Sequence, residues 1–303
     1  MPGKPERPDQ HATLGIALRV LAVFTLSLMM ATVKIGHEYG IDNMEMIFWR
    51  FAFALPVTAI WIGLGGGFAR IRTRRPMAHV WRAAVGLSSM YFVYWSVSLL
   101  PLAEATTLGF AAPFFATSLS ALFLAERVGI YRWSAIAVGF VGVLIVTQPF
   151  SGHLPLMGVA VGLAAALGVG CVSVTIRSIS RTETSEAIVL WFAVIAIVPL
   201  GMMQPFVMQS HDSWGWILLL LVGLFGGLGQ IFITASLRLA PISVVMPFDY
   251  SQLLWAVMLG WLIWGDIPPA ATWIGAAIIT ATGIYTLYRE QKRMRMESRA
   301  AAA

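Results

Sequence analysis

The chain has 303 residues, 58% of them hydrophobic and only 11% charged, against about 25% charged in an ordinary soluble domain. Water cannot solvate most of so apolar a surface, which excludes a soluble fold. The net charge of +6 sits in loops between apolar runs, so it is not read as a nucleic-acid-binding surface, and the single cysteine, Cys171, excludes an intrachain disulfide or a cysteine-cluster metal site.

Residues 1–13 are polar and carry Lys4 and Arg7. The apolar run that follows continues without a small-residue cleavage site, so it is read as a retained first span rather than a signal peptide. A bilayer core about 30 Å thick needs about 20 apolar residues per helix. Ten runs meet that need: 14–36, 44–65, 79–99, 104–124, 131–148, 156–178, 185–204, 214–237, 242–264 and 271–288. With ten spans, Arg70, Arg72, Arg74, Arg75, Arg82, Arg127, Arg132, Arg177, Arg181, Arg238, Arg289, Lys292, Arg293, Arg295 and Arg299 fall on the side of the two chain ends. The opposite loops carry Glu38, Asp42, Glu45, Asp212 and Asp266, with Lys34 the one cation near them. Positive loops stay inside, so both termini are expected in the cytoplasm of a multi-pass protein of the inner membrane.

The chain repeats itself. A shift of 140 residues aligns Pro101 with Pro241, Glu126 with Asp266 and Trp133 with Trp273; a shift of 141 aligns Glu45 with Glu186, Ile47 with Ile188 and Phe51 with Phe192. Five helices is an odd number, so the second copy enters the membrane from the opposite face. The expected fold is an all-α integral membrane protein of ten transmembrane helices in two inverted five-helix repeats, 14–148 and 156–288, between a cytoplasmic tail, 1–13, and a basic tail, 289–303. Such repeats can rock against a midplane site at their interface.

The stretches ALFLAERVGIYRWSAIAVGFVGVLIV and AVMLGWLIWGDIPPAATWIGAAIITATGIY, each with a small residue before an acidic one (Ala125-Glu126, Gly265-Asp266) and then an aromatic, glycine-rich helix, resemble the EamA-like branch of the drug/metabolite transporter superfamily. EMIFWRFAFALP, with Arg50, shares the resemblance, and Asp266 replaces the commoner Glu. The resemblance covers about residues 14–288. It implies a secondary transporter, without an ATP-binding part, that works as a monomer or weak homodimer on a small organic metabolite or drug-like solute. PFDYSQLLWA is similar to members that carry S-adenosylmethionine or riboflavin, which makes uptake of a nucleoside-like cofactor or vitamin the alternative reading.

Few charges lie at membrane depth. Arg19 can extend its stem to the cytoplasmic headgroups, and Lys34 is at helical spacing from Glu38. Arg50, about 9 Å inside its helix, is read either as an anion-binding group or as half of a structural pair. Glu104 opens the fourth span, where a helix dipole favours a carboxylate; a binding role is the other reading. Asp249 lies about 10 Å inside the ninth span, after Pro247. It is read as a proton carrier, a cation-binding group or a structural partner of Arg50. On the first reading Asp249→Asn abolishes pH-driven uptake and leaves folding intact. Tyr250, Tyr91, Tyr94, Trp95 and Gln230 complete the substrate-binding candidates. No cofactor or resident metal is expected; the partners are a small-molecule substrate, protons and the lipid bilayer.

A membrane-embedded enzyme would need a nucleophile and base, or metal ligands, inside the spans. The five histidines, His11, His37, His79, His153 and His211, fall in tails, loops or span ends, and no H-E-x-x-H or G-x-S-x-G is present. A channel is the third class, and inverted repeats with midplane charges fit a carrier better.

Overall fold

The computed structural model describes residues 8–64, 73, 75–123, 129–148, 153–180, 182–240 and 242–302. Lys4, Arg7, Arg70, Arg72, Arg74, Ala125, Glu126, Arg127, Arg181 and Pro241 lie outside the described residues, as does the side chain of Glu186.

In lipid the backbone must satisfy its own hydrogen bonds, and helices do so within one segment. The described chain accordingly forms helices α1 (Pro8–Glu38), α2 (Asn43–Leu64), α3 (Pro76–Leu99), α4 (Leu102–Gly109), α5 (Ala112–Phe123), α6 (Ile130–Thr147), α7 (Leu156–Ile179), α8 (Ser185–Val207), α9 (Ser213–Leu239), α10 (Ile242–Val245), α11 (Gln252–Trp264) and α12 (Ala270–Ala302). Six stretches among the described residues are long and apolar enough to cross a membrane on those grounds alone, in α1, α4/α5, α7, α8, α9 and α12. The other crossings are α2, α3, which carries His79 and Arg82, the shorter α6, and the interrupted α10/α11.

The fourth span of each repeat is broken, although the apolar runs 104–124 and 242–264 predict unbroken helices. In the first repeat the chain turns at Phe110 and Ala111, ahead of Pro113, which has no N–H for the carbonyl of Gly109. In the second, Met246–Ser251 tightens into a 3-10 helix around Pro247. α11 ends on Gly265 at φ +72°, a left-handed position that suits glycine. The Gly265 N–H donates to Trp261 and the Asp266 N–H to Gly260, closing the helix end and fixing where Asp266 emerges.

Contacts show the inversion directly. Along α1 and α9, Gly15 packs on Ala240 and Ser236 while Leu26 packs on Gly229, so the two helices are antiparallel. Along α3 and α7, Gly158 packs on Leu100 and Gly168 on Ser89, again antiparallel. α1 and α3 are separated by one helix and cross in the same sense, as do α7 and α9. First-on-third packing in both directions is what a two-fold axis in the membrane plane produces. Equivalent details recur 140 residues apart: the N–H of Leu100 closes α3 on Ser96, and that of Ala240 closes α9 on Ser236. Across the axis, Phe51 meets Phe192 with ring centres 5.1 Å apart, and Phe110 meets Tyr250 at the same separation.

The repeats interlock. One core joins α4, α5 and α6 with α7, α11 and α12 and takes in Ala31 of α1 and Val97 of α3; the other joins α1, α2 and α3 with α8 and α9. Each core draws helices from both repeats, so the packed bodies differ from the sequence repeats.

Candidate functional site

Arg50 projects from α2 between α3 and α9. Its Nη1 donates to the Met90 sulfur at 2.9 Å, and its Cζ lies 5.7 Å from the centre of the Phe51 ring. Gly226 makes room for it, since a Cβ there would lie 2.9 Å from Arg50 Nε. Among the described residues no carboxylate pairs with Arg50. A thioether is a weak acceptor, so the charge is held at depth without a strong partner. Gln230 is one turn beyond Gly226 on α9, half-buried, and its side-chain amide makes no hydrogen bond among the described residues.

The aromatic stripe of α3 divides. Tyr94 is fully buried, and its hydroxyl reaches only the Met29 sulfur at 3.9 Å. Tyr91 and Trp95 are half-buried and lie 5.9 Å apart, with Trp95 stacked on Phe92. Core packing takes Tyr94 and leaves Tyr91 and Trp95 partly exposed.

Asp249 pairs with Arg19 and not with Arg50. Arg19 Nε donates to Oδ1 at 2.5 Å and Nη2 to Oδ2 at 2.6 Å, a two-pronged bridge between α1 and the 3-10 segment. Arg19 is 9% exposed; it turns inward instead of reaching the headgroups. A planar guanidinium fits a carboxylate this way, and the low dielectric strengthens the bond. Tyr250 packs on Phe110 and runs its hydroxyl against Gly283. One turn apart on the same stretch, Ser251 Oγ and Trp255 Nε1 are buried without partners among the described residues, and the Trp255 ring lies 4.8 Å from Phe24.

Glu104 is 2% exposed. Thr272 of α12 donates to its Oε1 at 3.0 Å, and Oε2 has no partner among the described residues. Nearby, Lys34 donates to the Leu100 carbonyl at 2.9 Å and sits 5.0 Å over Trp264, whose indole donates to Glu38 at 2.7 Å. Lys34 and Glu38 therefore take separate partners instead of pairing directly. Two more ties close this acidic face: His211 to Glu45 at 2.8 Å, and Tyr39 to Asp212 at 2.7 Å. The Tyr39–Asp212 bond holds the Asp212 carboxyl below its ordinary range and raises the Tyr39 phenol.

A cleft of about 1180 Å³ opens between α3, α5 and α7, with Trp81, Phe92, Phe123 and Leu167 among its walls. None of the expected site residues lines it.

Sequence reasoning missed Arg19 as the partner of Asp249, and it left Arg82 among the loop charges. No spacing rule joins positions 19 and 249, or 82 and 192; only the packing of interlocked repeats does.

Fold and buried charges together define a multi-pass membrane protein of two inverted repeats with polar groups held in its interior. The chain belongs to the EamA-like transporter family, which matches residues 13–148 and 156–289. It is 29% identical over 290 residues to a riboflavin transporter of Rhizobium johnstonii, covering 94% of both chains. It is 32% identical over 273 residues to the pseudopaline exporter CntI of Pseudomonas aeruginosa, covering 89% of this chain and 94% of that one. An S-adenosylmethionine uptake transporter of Rickettsia conorii is 24% identical over 276 residues, covering 89% and 93%. One solved crystal structure matches with a TM-score of 0.60 over 93% of this chain and 98% of its own, at 17% identity, which speaks to the fold alone.

Proposed function

We propose that this protein is a secondary active transporter that carries, by alternating access, a small organic solute with an anionic group and a planar ring. The observation that carries this reading is Arg50: a guanidinium inside a membrane span whose one hydrogen bond among the described residues is to a thioether. Such a charge is costly in lipid, and an ionisable group kept there points to a functional site. The Tyr91–Trp95–Phe92 cluster and the unpartnered Ser251 and Trp255 supply ring-stacking and hydrogen-bonding surface for the rest of the solute. The riboflavin and S-adenosylmethionine carriers among the relatives favour a nucleoside-like cofactor or vitamin as cargo.

The basic face, with Arg75, Arg177, Arg238 and Arg289, is read as cytoplasmic and the acidic face as external, in the inner membrane of the cell. Each chain holds both repeats and so a whole pathway, which supports a functional monomer. Protons are the proposed coupling ion. Glu104 suits that role better than Asp249, because one of its oxygens is unpartnered while both oxygens of Asp249 are held by Arg19.

The test is uptake into proteoliposomes of labelled riboflavin, S-adenosylmethionine and pseudopaline, with and without a proton gradient. Saturable, counterflow-capable flux of one of them is expected. Flux linear in concentration would point to a channel, and no flux of any would overturn the solute class.

A further inference from the structure

Arg82 is a further guanidinium inside the same helix bundle, besides Arg19 and Arg50, and no sequence motif marks it. It is 7% exposed, and its Nε and Nη1 have no hydrogen-bond partner among the described residues. No described carboxylate pairs with it. Among the described residues its closest ring contact is with Phe192 of α8, whose ring centre lies 4.2 Å from Cζ. His79, one turn earlier, is engaged elsewhere, 3.6 Å from Glu183. Orphaned guanidinium donors at this burial are expensive.

The surroundings of Arg82 repeat those of Arg50. Phe192 and Phe51 are equivalent positions of the two repeats and touch each other edge to face. Gly86 and Gly226 are likewise equivalent, 140 residues apart. A Cβ on Gly226 would press on Arg50, and one on Gly86 would collide with Arg82 and Phe192. The two arginines come from different helices, α2 and α3, yet each occupies the space its glycine leaves open, beside one ring of the phenylalanine pair. Their depths are also opposed. Arg50 lies about 10 Å inside the acidic face and Arg82 about 9 Å inside the basic face, counted along their helices.

We propose that Arg82 is a second anion-binding residue, serving the basic face as Arg50 serves the acidic one. A carboxylate or phosphate of the solute passes between the two guanidiniums, across the Phe51–Phe192 contact. Each arginine supplies planar paired donors for an oxyanion, and the ring pair between them keeps both stations from being wet at once. The proposal rests on the reading of Arg50 as an anion-binding group.

The test is a titration of purified protein with 2-aminobenzoate, an aromatic carboxylate that accepts excitation energy from tryptophan, in competition with inorganic phosphate. Wild type is compared with Arg82→Gln and Arg82→Lys; the lysine variant keeps the charge that holds Phe192 and loses the planar fork. Arg82→Gln is expected to weaken binding about tenfold or more, and Arg82→Lys by a smaller factor. In oriented vesicles, Arg82→Gln is expected to raise the half-saturation concentration at the basic face and Arg50→Ala at the acidic face. Affinities unchanged in both Arg82 variants, equal shifts at both faces, or no binding of either anion to wild type would overturn the proposal. Unaltered solute uptake by the Arg82 variants would remove the second station and leave the transport reading standing.

Discussion

Phe51 and Phe192 stand 141 positions apart and touch, ring edge to ring face, at the axis that relates the two repeats. Ile47 and Ile188, one turn earlier on the same two helices, are both buried. The alignment read from sequence is thus a contact in space. The structure sets an arginine beside each ring of the Phe51–Phe192 pair.

Arg50→Ala is expected to raise the half-saturation concentration for an anionic solute about tenfold or more, the loss of a charge-assisted contact, with a smaller change in maximal rate. Transport kinetics in proteoliposomes measure it. Unchanged kinetics would assign Arg50 to structure alone.

Gly226→Ala tests the same site without touching the charge. The added methyl would stand 2.9 Å from Arg50 Nε and 3.0 Å from the Met29 sulfur, so the flexible side chains move and the guanidinium shifts. We expect a several-fold loss of apparent affinity with a melting temperature close to wild type. Gly275→Ala is the contrasting control, because its methyl meets the Gly142 carbonyl at 2.5 Å, a backbone atom that cannot swing away. It should cost stability, by about 1–3 kcal/mol.

Arg19 and Asp249 form a coupled pair. Asp249→Asn leaves a guanidinium buried beside a neutral amide, so the variant is expected to lose stability as well as activity, by about 1–3 kcal/mol given the partial exposure of the aspartate. The sequence alone pointed to an intact fold. A double-mutant cycle with Arg19→Met and Asp249→Leu should show that the second substitution costs far less than the first. Additive melting shifts would count against the pair.

Glu104→Gln keeps the shape and the hydrogen bond from Thr272 while removing the proton site. Uptake driven by a pH gradient is expected to fall to the level without a gradient, while counterflow persists. The pH dependence of uptake decides this; full coupling in the variant would return the proton role to another group.

The Tyr39–Asp212 bond predicts a pH window at the acidic face. Asp212 is held below its ordinary 3.8 and Tyr39 above its ordinary 10.0, each chiefly by the bond between them. The Asp212 contribution is present above its unfolded value and is lost as pH falls through its lowered folded value. The Tyr39 contribution is present below its unfolded value and is lost as pH rises through its raised one. Tyr39→Phe should move the Asp212 titration upward toward 3.8, as read from carbon-13 shifts of labelled aspartate.

The span count, the inversion and the basic and acidic faces were legible in the sequence, because lipid imposes a length and a charge rule on each segment separately. Each can be read locally, and an internal repeat multiplies the signal. Arg50, Glu104 and Asp249 stood out for the same reason, as charges that lipid does not accept cheaply. Their partners did not. Whether Asp249 meets Arg19 or Arg50, whether Tyr94 faces a path or a core, and where Arg82 points depend on how helices of opposite repeats interlock, through contacts between residues up to 230 positions apart. The sequence fixes which groups must be satisfied away from water; only the packed bundle decides which group satisfies which, because that choice is made by distance in space and not along the chain.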